Sequence, residues 1–76
     1  MTTAYVLINY EIGAEQNILN ELKNVPGIVE VSEVNGIYDI VVKIASDTLE
    51  SLKNTITRHI RTINTVRSTL TLIIIE

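Results

Sequence analysis

The chain has no cysteine, phenylalanine or tryptophan, and among its 76 residues there are one histidine (His59), one proline (Pro26) and three glycines. Without cysteine there is no disulfide, no thiolate zinc site and no CxxC redox centre. A single histidine removes a His-rich metal site as well. Cations are few: six Lys and Arg stand against nine Asp and Glu, for a net charge of −3. That balance disfavours general nucleic-acid binding, which relies on Lys and Arg neutralising phosphates. No apolar run approaches the ~18 residues of a membrane-spanning helix. The start, Met1-Thr2-Thr3-Ala4, lacks the basic region and apolar stretch of a signal peptide. The expectation is a cytoplasmic protein with no cofactor, no metal, no membrane partner and no direct nucleic-acid partner.

What the chain does have is apolar surface. Apolar residues make up 46% of it, and the mean hydropathy is +0.29. Its length allows one domain, spanning residues 1–76, and a domain of this size buries only about 60% of its unfolded surface. Disulfides and metals are the usual reinforcement for so small a core; with both removed, oligomerisation remains.

The hydrophobic pattern divides into six elements. Ala4–Tyr10 reads as a strand, with both faces, Tyr5/Leu7 and Val6/Ile8/Tyr10, largely apolar. A turn at Glu11-Ile12-Gly13 leads to a helix carrying Ala14, Ile18, Leu19, Leu22 and Val25, ended by Pro26-Gly27. Ile28–Val34 alternates as a half-exposed strand. Asn35-Gly36 signals a tight hairpin into a strand over Tyr38–Ile44. Asp47-Thr48-Leu49-Glu50 resembles a capping box with Asp47 as the cap. The helix after it carries Leu49, Leu52, Ile56, Ile60 and Ile63 on one stripe, with Lys53, Arg58 and Arg61 mainly outside it. Val66–Ile75 is the last strand. This order is the α+β, ferredoxin-like βαββαβ arrangement, a four-stranded antiparallel sheet with two helices on one face.

Two helices cover one sheet face and leave the other open. Alternation sends Ile40, Val42 and Ile44 toward the helices and Asp39, Val41 and Lys43 to the open side. In the last strand Leu70, Leu72 and Ile74 are expected toward the helices, with Thr69, Thr71, Ile73 and Ile75 on the open face. Exposed Val41, Ile73 and Ile75 would then form a patch suited to face-to-face dimerisation.

Catalysis has little to work with, and the chain is not expected to be an enzyme. No carboxylate pair stands beside His59, and no serine sits in a known elbow. His59 lies at the edge of the helical stripe and reads as a packing or interface residue. Other users of this topology fail on residues rather than on fold. Acylphosphatase-like chemistry needs a cationic cradle after the first strand, where Glu11-Ile12-Gly13-Ala14 offers none. Copper chaperones need cysteines in that loop. An RNA-recognition sheet needs stacking aromatics and positive charge. What survives is Asn35-Gly36-Ile37-Tyr38-Asp39 with Thr69 and Thr71. A zwitterionic amino acid offers an ammonium to Asp39 and a carboxylate to turn N–H groups and hydroxyls. The same residues also read as a turn, a solvated strand residue and β-sheet filler; spacing alone leaves both readings open.

These segments are similar to the effector-binding module of the leucine-responsive regulatory protein/AsnC family, the regulation-of-amino-acid-metabolism domain. The resemblance covers nearly the whole chain: Ala4–Ile8, the Gly13 turn, Val25-Pro26-Gly27-Ile28-Val29-Glu30-Val31 and the ending Val66-Arg67-Ser68-Thr69-Leu70-Thr71. Its most specific part is Val34-Asn35-Gly36-Ile37-Tyr38-Asp39-Ile40, which resembles the family's valine-x-glycine-x-tyrosine-aspartate hairpin. The resemblance implies dimers formed through open sheet faces and rings of dimers such as octamers. It also implies a free amino acid as effector, bound at junctions between dimers. Carried over, the site residues are Asn35, Gly36, Tyr38 and Asp39, with Thr69 and Thr71 near the same junction. Family regulators carry a helix-turn-helix ahead of this module, whereas here the first strand starts within a few residues of Met1, so DNA binding is not carried over. The chain is expected to be a stand-alone sensing module that pairs with itself and with full-length regulators, modulating transcription or amino-acid metabolism. The alternative is a structural adaptor that assembles with regulator rings and binds nothing small. The ACT domain shares the topology, but the hairpin motif argues against it.

Overall fold

A computed structural model describes residues 1–75. Four strands, β1 (Thr2–Tyr10), β2 (Ile28–Glu33), β3 (Ile40–Ser46) and β4 (Val66–Ile73), alternate with two helices, α1 (Glu15–Leu22) and α2 (Leu49–Thr55). The sheet is antiparallel with spatial order β2-β3-β1-β4, so β1 and β3 are central and β2 and β4 are edges. This is the expected ferredoxin-like arrangement.

Strand alternation builds the core. Ala4, Val6 and Ile8 of β1 and Ile40, Val42 and Ile44 of β3 are fully buried. They pack with Ile18 and Leu22 of α1 and with Leu52, Ile56 and Ile60 beyond them. Each Val, Leu or Ile so buried contributes about 1.5–3 kcal/mol relative to exposure. Among the described residues no polar side chain is buried.

The helix after β3 departs from the expected form at both ends. Its cap is Thr48, whose hydroxyl accepts the Ser51 N–H at 3.0 Å, and not Asp47. Thr48 is the extended residue next to the helix, the geometry a cap requires. Past Thr55 the chain widens into a π-helical turn, Ile56–Ile60, closed by the Arg61 N–H on the Ile56 carbonyl at 3.0 Å. Ile56, Ile60 and Ile63 all stay buried through that turn, while Leu49 is exposed. His59 on the same turn is exposed rather than packed on the core.

Two turns differ in how strongly they are specified. Gly27, at φ +85°, accepts the Ala45 N–H with its carbonyl at 3.0 Å. A Cβ at Gly27 would run into the Ala45 carbonyl oxygen, so both conformation and space demand glycine. Gly36 does not have positive φ, and β2 and β3 are joined by a six-residue loop, 34–39, not by a two-residue Asn-Gly turn. The loop is closed by the Val34 N–H on the Asp39 carbonyl at 2.9 Å. β3 therefore begins at Ile40, two residues later than expected.

The largest correction concerns β4. Its register pairs Ala4 with Ile73, Val6 with Thr71 and Ile8 with Thr69. Cross-strand partners share a face, so Thr69, Thr71 and Ile73 lie on the helix side. Leu70 and Leu72, 44% and 51% exposed, lie on the open face with Tyr5, Leu7, Val41 and Lys43. The expectation had sent the greasier alternate of β4 inward. A one-residue change of register inverts a strand, and here the inversion leaves the open face more apolar than expected.

Candidate functional site

The hairpin residues and the β4 threonines do not line one cleft within the chain. Asp39 ends the loop before β3. Its N–H donates to the Ile8 carbonyl at 3.0 Å, and its Oδ2 accepts the Tyr10 N–H at 3.2 Å. These bonds fix the half-buried carboxylate at the end of β1. The cleft it borders, about 500 Å³, is lined by Asn9, Tyr10, Ile12, Ile37, Asp39, Arg67 and Ser68. Asn35 and Gly36 are exposed in the loop above it, and Tyr38 is half-buried; none of the three lines the cleft.

Thr69 and Thr71 face a separate cleft of about 420 Å³ between the helical segment and β4. Lys53 and Arg61 supply its charge, and among the described residues no Asp or Glu lines it. That cleft has cations and hydroxyls for an anion and no partner for an ammonium. The Asp39 cleft has both signs of charge. Thr69 and Thr71 therefore do not share the open face with Asp39 as expected, a direct result of the β4 register.

Of the seven lining residues only Asp39 was among the expected site residues. Asn9 donates from Nδ2 to the Ser68 Oγ at 3.2 Å, a cross-strand bond that becomes visible only once β1 and β4 are paired. Arg67 is the extra residue where the pairing shifts from Asn9↔Ser68 to Tyr10↔Val66. Such a bulge gives no periodic signal, since it is by nature an interruption of alternation.

Tyr10 carries the local electrostatics. Desolvation by burial, then the carboxylates of Glu15, Asp39 and Glu33, and a hydrogen bond to Glu15 hold its hydroxyl above the ordinary pKa of 10.0. Burial and these neighbouring carboxylates thus favour the neutral phenol. Among the described residues no three His, Cys, Asp or Glu side chains cluster to hold a metal, and no helix is long and apolar enough to cross a membrane.

Comparison with known proteins gives this geometry a family. A family model described as the Lrp/AsnC ligand binding domain matches residues 3–76. The HTH-type transcriptional regulator FL11 of Pyrococcus furiosus is 36% identical over 73 residues, covering 96% of this chain and 48% of that regulator. The chain spans about half the length of most of the curated relatives it matches. The crystal structure of FFRP-DM1 superposes with a TM-score of 0.93 at 36% identity, covering 99% of this chain and 100% of that one. A Neisseria meningitidis transcriptional regulator, NMB0573, solved as a complex with L-Met, shares the fold at a TM-score of 0.89 and 8% identity, over 99% of this chain and 50% of that one. With a family model matched across nearly its whole length and a 36% identical relative, the chain belongs to the Lrp/AsnC family, as its ligand-binding domain.

Proposed function

We propose that this domain senses a free amino acid and transmits its presence through assembly, modulating the transcription regulators of its family. The observation that carries the reading is Asp39: a carboxylate fixed by backbone bonds at the end of β1, bordering a cleft of amino-acid size. The L-Met complex of the fold-related Neisseria regulator supports an amino-acid ligand. In this reading Asp39 takes the ammonium, and the loop of Asn35, Gly36 and Tyr38 borders the bound molecule. Thr69 and Thr71 would reach it from another copy, at a junction between dimers in a ring. The apolar open face supplies the dimer contact, and full-length family regulators are the second class of protein partner. No catalytic step is assigned.

The test is a thermal-shift screen of the twenty amino acids, followed by calorimetric titration of wild type and Asp39→Asn with the best hit. Asparagine keeps an acceptor for the Tyr10 N–H and removes the charge. A charge-assisted hydrogen bond contributes about 1.5–3 kcal/mol, so affinity should fall roughly ten- to hundredfold with the assembly intact. Equal binding by both proteins would remove Asp39 from the site. Assembly without any amino-acid response would favour the structural adaptor.

A further inference from the structure

The geometry points to a second binding site, for a small phosphate ester, in the cleft of about 420 Å³ between the helical segment and β4. It goes beyond the amino-acid reading and shares no lining residue with the Asp39 cleft. The cleft exists because α2 packs chiefly over β1 and β3, whereas β4 is the outer edge beside β1. The helix-facing side of β4 is left as the floor of a groove. That floor is polar: Thr69 and Thr71 sit there half-buried. Among the described residues no side-chain hydrogen bond engages the hydroxyl of Thr57, Thr69 or Thr71.

The opposite wall is shaped by the π-helical turn. Lys53, Thr57 and Arg61 are spaced four apart. In an uninterrupted α-helix each such step drifts by about 40°, which would carry Arg61 about 80° around the axis from Lys53. The Ile56–Ile60 turn, closed by the Arg61 N–H on the Ile56 carbonyl, is wider. It advances fewer degrees per residue and turns the second step back. An ammonium, a hydroxyl and a guanidinium thus line one cleft. Single π-turns inside α-helices recur at functional sites.

Two cations and three hydroxyls therefore converge from two elements. Among the described residues no Asp or Glu lines this cleft or the adjoining hollow that shares Arg61 and Thr69 with it. In a chain of net charge −3 this is a local reversal of sign. A carboxylate presents two oxygens, whereas a phosphate ester presents three strong acceptors and a charge of about −1.5 to −2. A guanidinium fork and a lysine point charge suit that group. Ile56, Leu70 and Ile73 complete the lining, so the body of an ester gains apolar contact that inorganic phosphate cannot make.

The probes for isothermal titration are ribose 5-phosphate, AMP and inorganic phosphate. Ribose and adenosine serve as phosphate-free twins, and succinate as the carboxylate comparator. At least one ester should bind once per chain, more tightly than inorganic phosphate or succinate, while its twin does not bind. Lys53→Gln and Arg61→Gln should each weaken that ester roughly ten- to hundredfold, and Arg61→Lys should recover part of the loss. Both cations are exposed, so these variants should melt with wild type. Arg58→Gln, on the same turn but outside the lining, and Asp39→Asn should leave the affinity unchanged. Failure of both esters to bind, or equally tight binding of succinate, would overturn the site. An equal loss in Arg58→Gln would reduce it to general attraction by a basic segment, of the kind that holds a nucleic-acid backbone, and would overturn it too. An equal loss in Asp39→Asn would move the phosphate to the other cleft and do the same. Amino-acid affinity is measured separately, so either site can fail alone.

Discussion

The Lys43 ammonium stands 6.0 Å from the centre of the Tyr5 ring, and the two residues are direct partners across β1 and β3. A cation over an aromatic face at an exposed position contributes about 0.5–1 kcal/mol. The contact matters more for what it does to the surface. It folds the one lysine of the open face onto a ring, beside a field of Leu7, Val41, Leu70 and Leu72. An apolar face of this kind is prepared for a partner.

Light scattering should therefore find wild type well above the 8.5 kDa of one chain. Leu72→Asp should drive it toward monomer. In a two-fold interface the substitution enters twice. With about 1.5–3 kcal/mol for each buried leucine, dissociation should strengthen by more than roughly a hundredfold. A monomeric wild type would remove the basis for this interface.

Gly27→Ala should be among the most damaging small changes in the chain. It forces an L-residue to φ +85° and presses a methyl on the Ala45 carbonyl oxygen. Strain of this type costs about 1–3 kcal/mol before any clash is added. In a domain of this size each kcal/mol lowers Tm by roughly 4–8 °C, so a fall of ~10 °C or more is expected in calorimetry. Gly36→Ala, with open space at the Cβ and no positive φ, should change Tm little.

Stability should fall on the alkaline side. The folded state holds Tyr10 above its ordinary value, so the phenol keeps its proton more strongly folded than unfolded. Its contribution is fully present below pH ~10 and is lost as pH rises through the raised folded value. Urea midpoints measured from pH 8 to 11 should decline more steeply for wild type than for Tyr10→Phe. Parallel declines would assign the alkaline loss to other groups.

Duplex DNA should not be shifted by the 76-residue chain at physiological salt, given its net charge of −3. Tight binding that weakens steeply with salt would instead implicate Lys53, Arg58 and Arg61, which lie along α2 and its π-helical extension.

Much of the architecture was legible because β1 and β3 alternate cleanly and bury one face each. Ala4, Val6, Ile8, Ile40, Val42 and Ile44 needed no structure to be assigned to the core. β4 was misread because both alternates are plausible core residues. Burial was assumed to select the greasier one, when the register sends Leu70 and Leu72 outward. Asp39 was found from its place beside the hairpin. Arg67 was not, because a bulge is defined by the neighbouring strand and leaves no pattern in its own segment. The π-helical turn was hidden for a related reason: Ile56, Ile60 and Ile63 fit ordinary helical spacing, and only the Arg61 N–H on the Ile56 carbonyl reveals the wider ring.

The outward turn of Leu70 and Leu72 ties the folding of one copy to the presence of others. An edge strand that faces its larger side chains away from its own core gains little by docking in isolation. Whatever covers those leucines binds the folded chain and not the unfolded one, and mass action then adds to stability. The melting temperature should accordingly climb with protein concentration, and dilution alone should act as a mild denaturant.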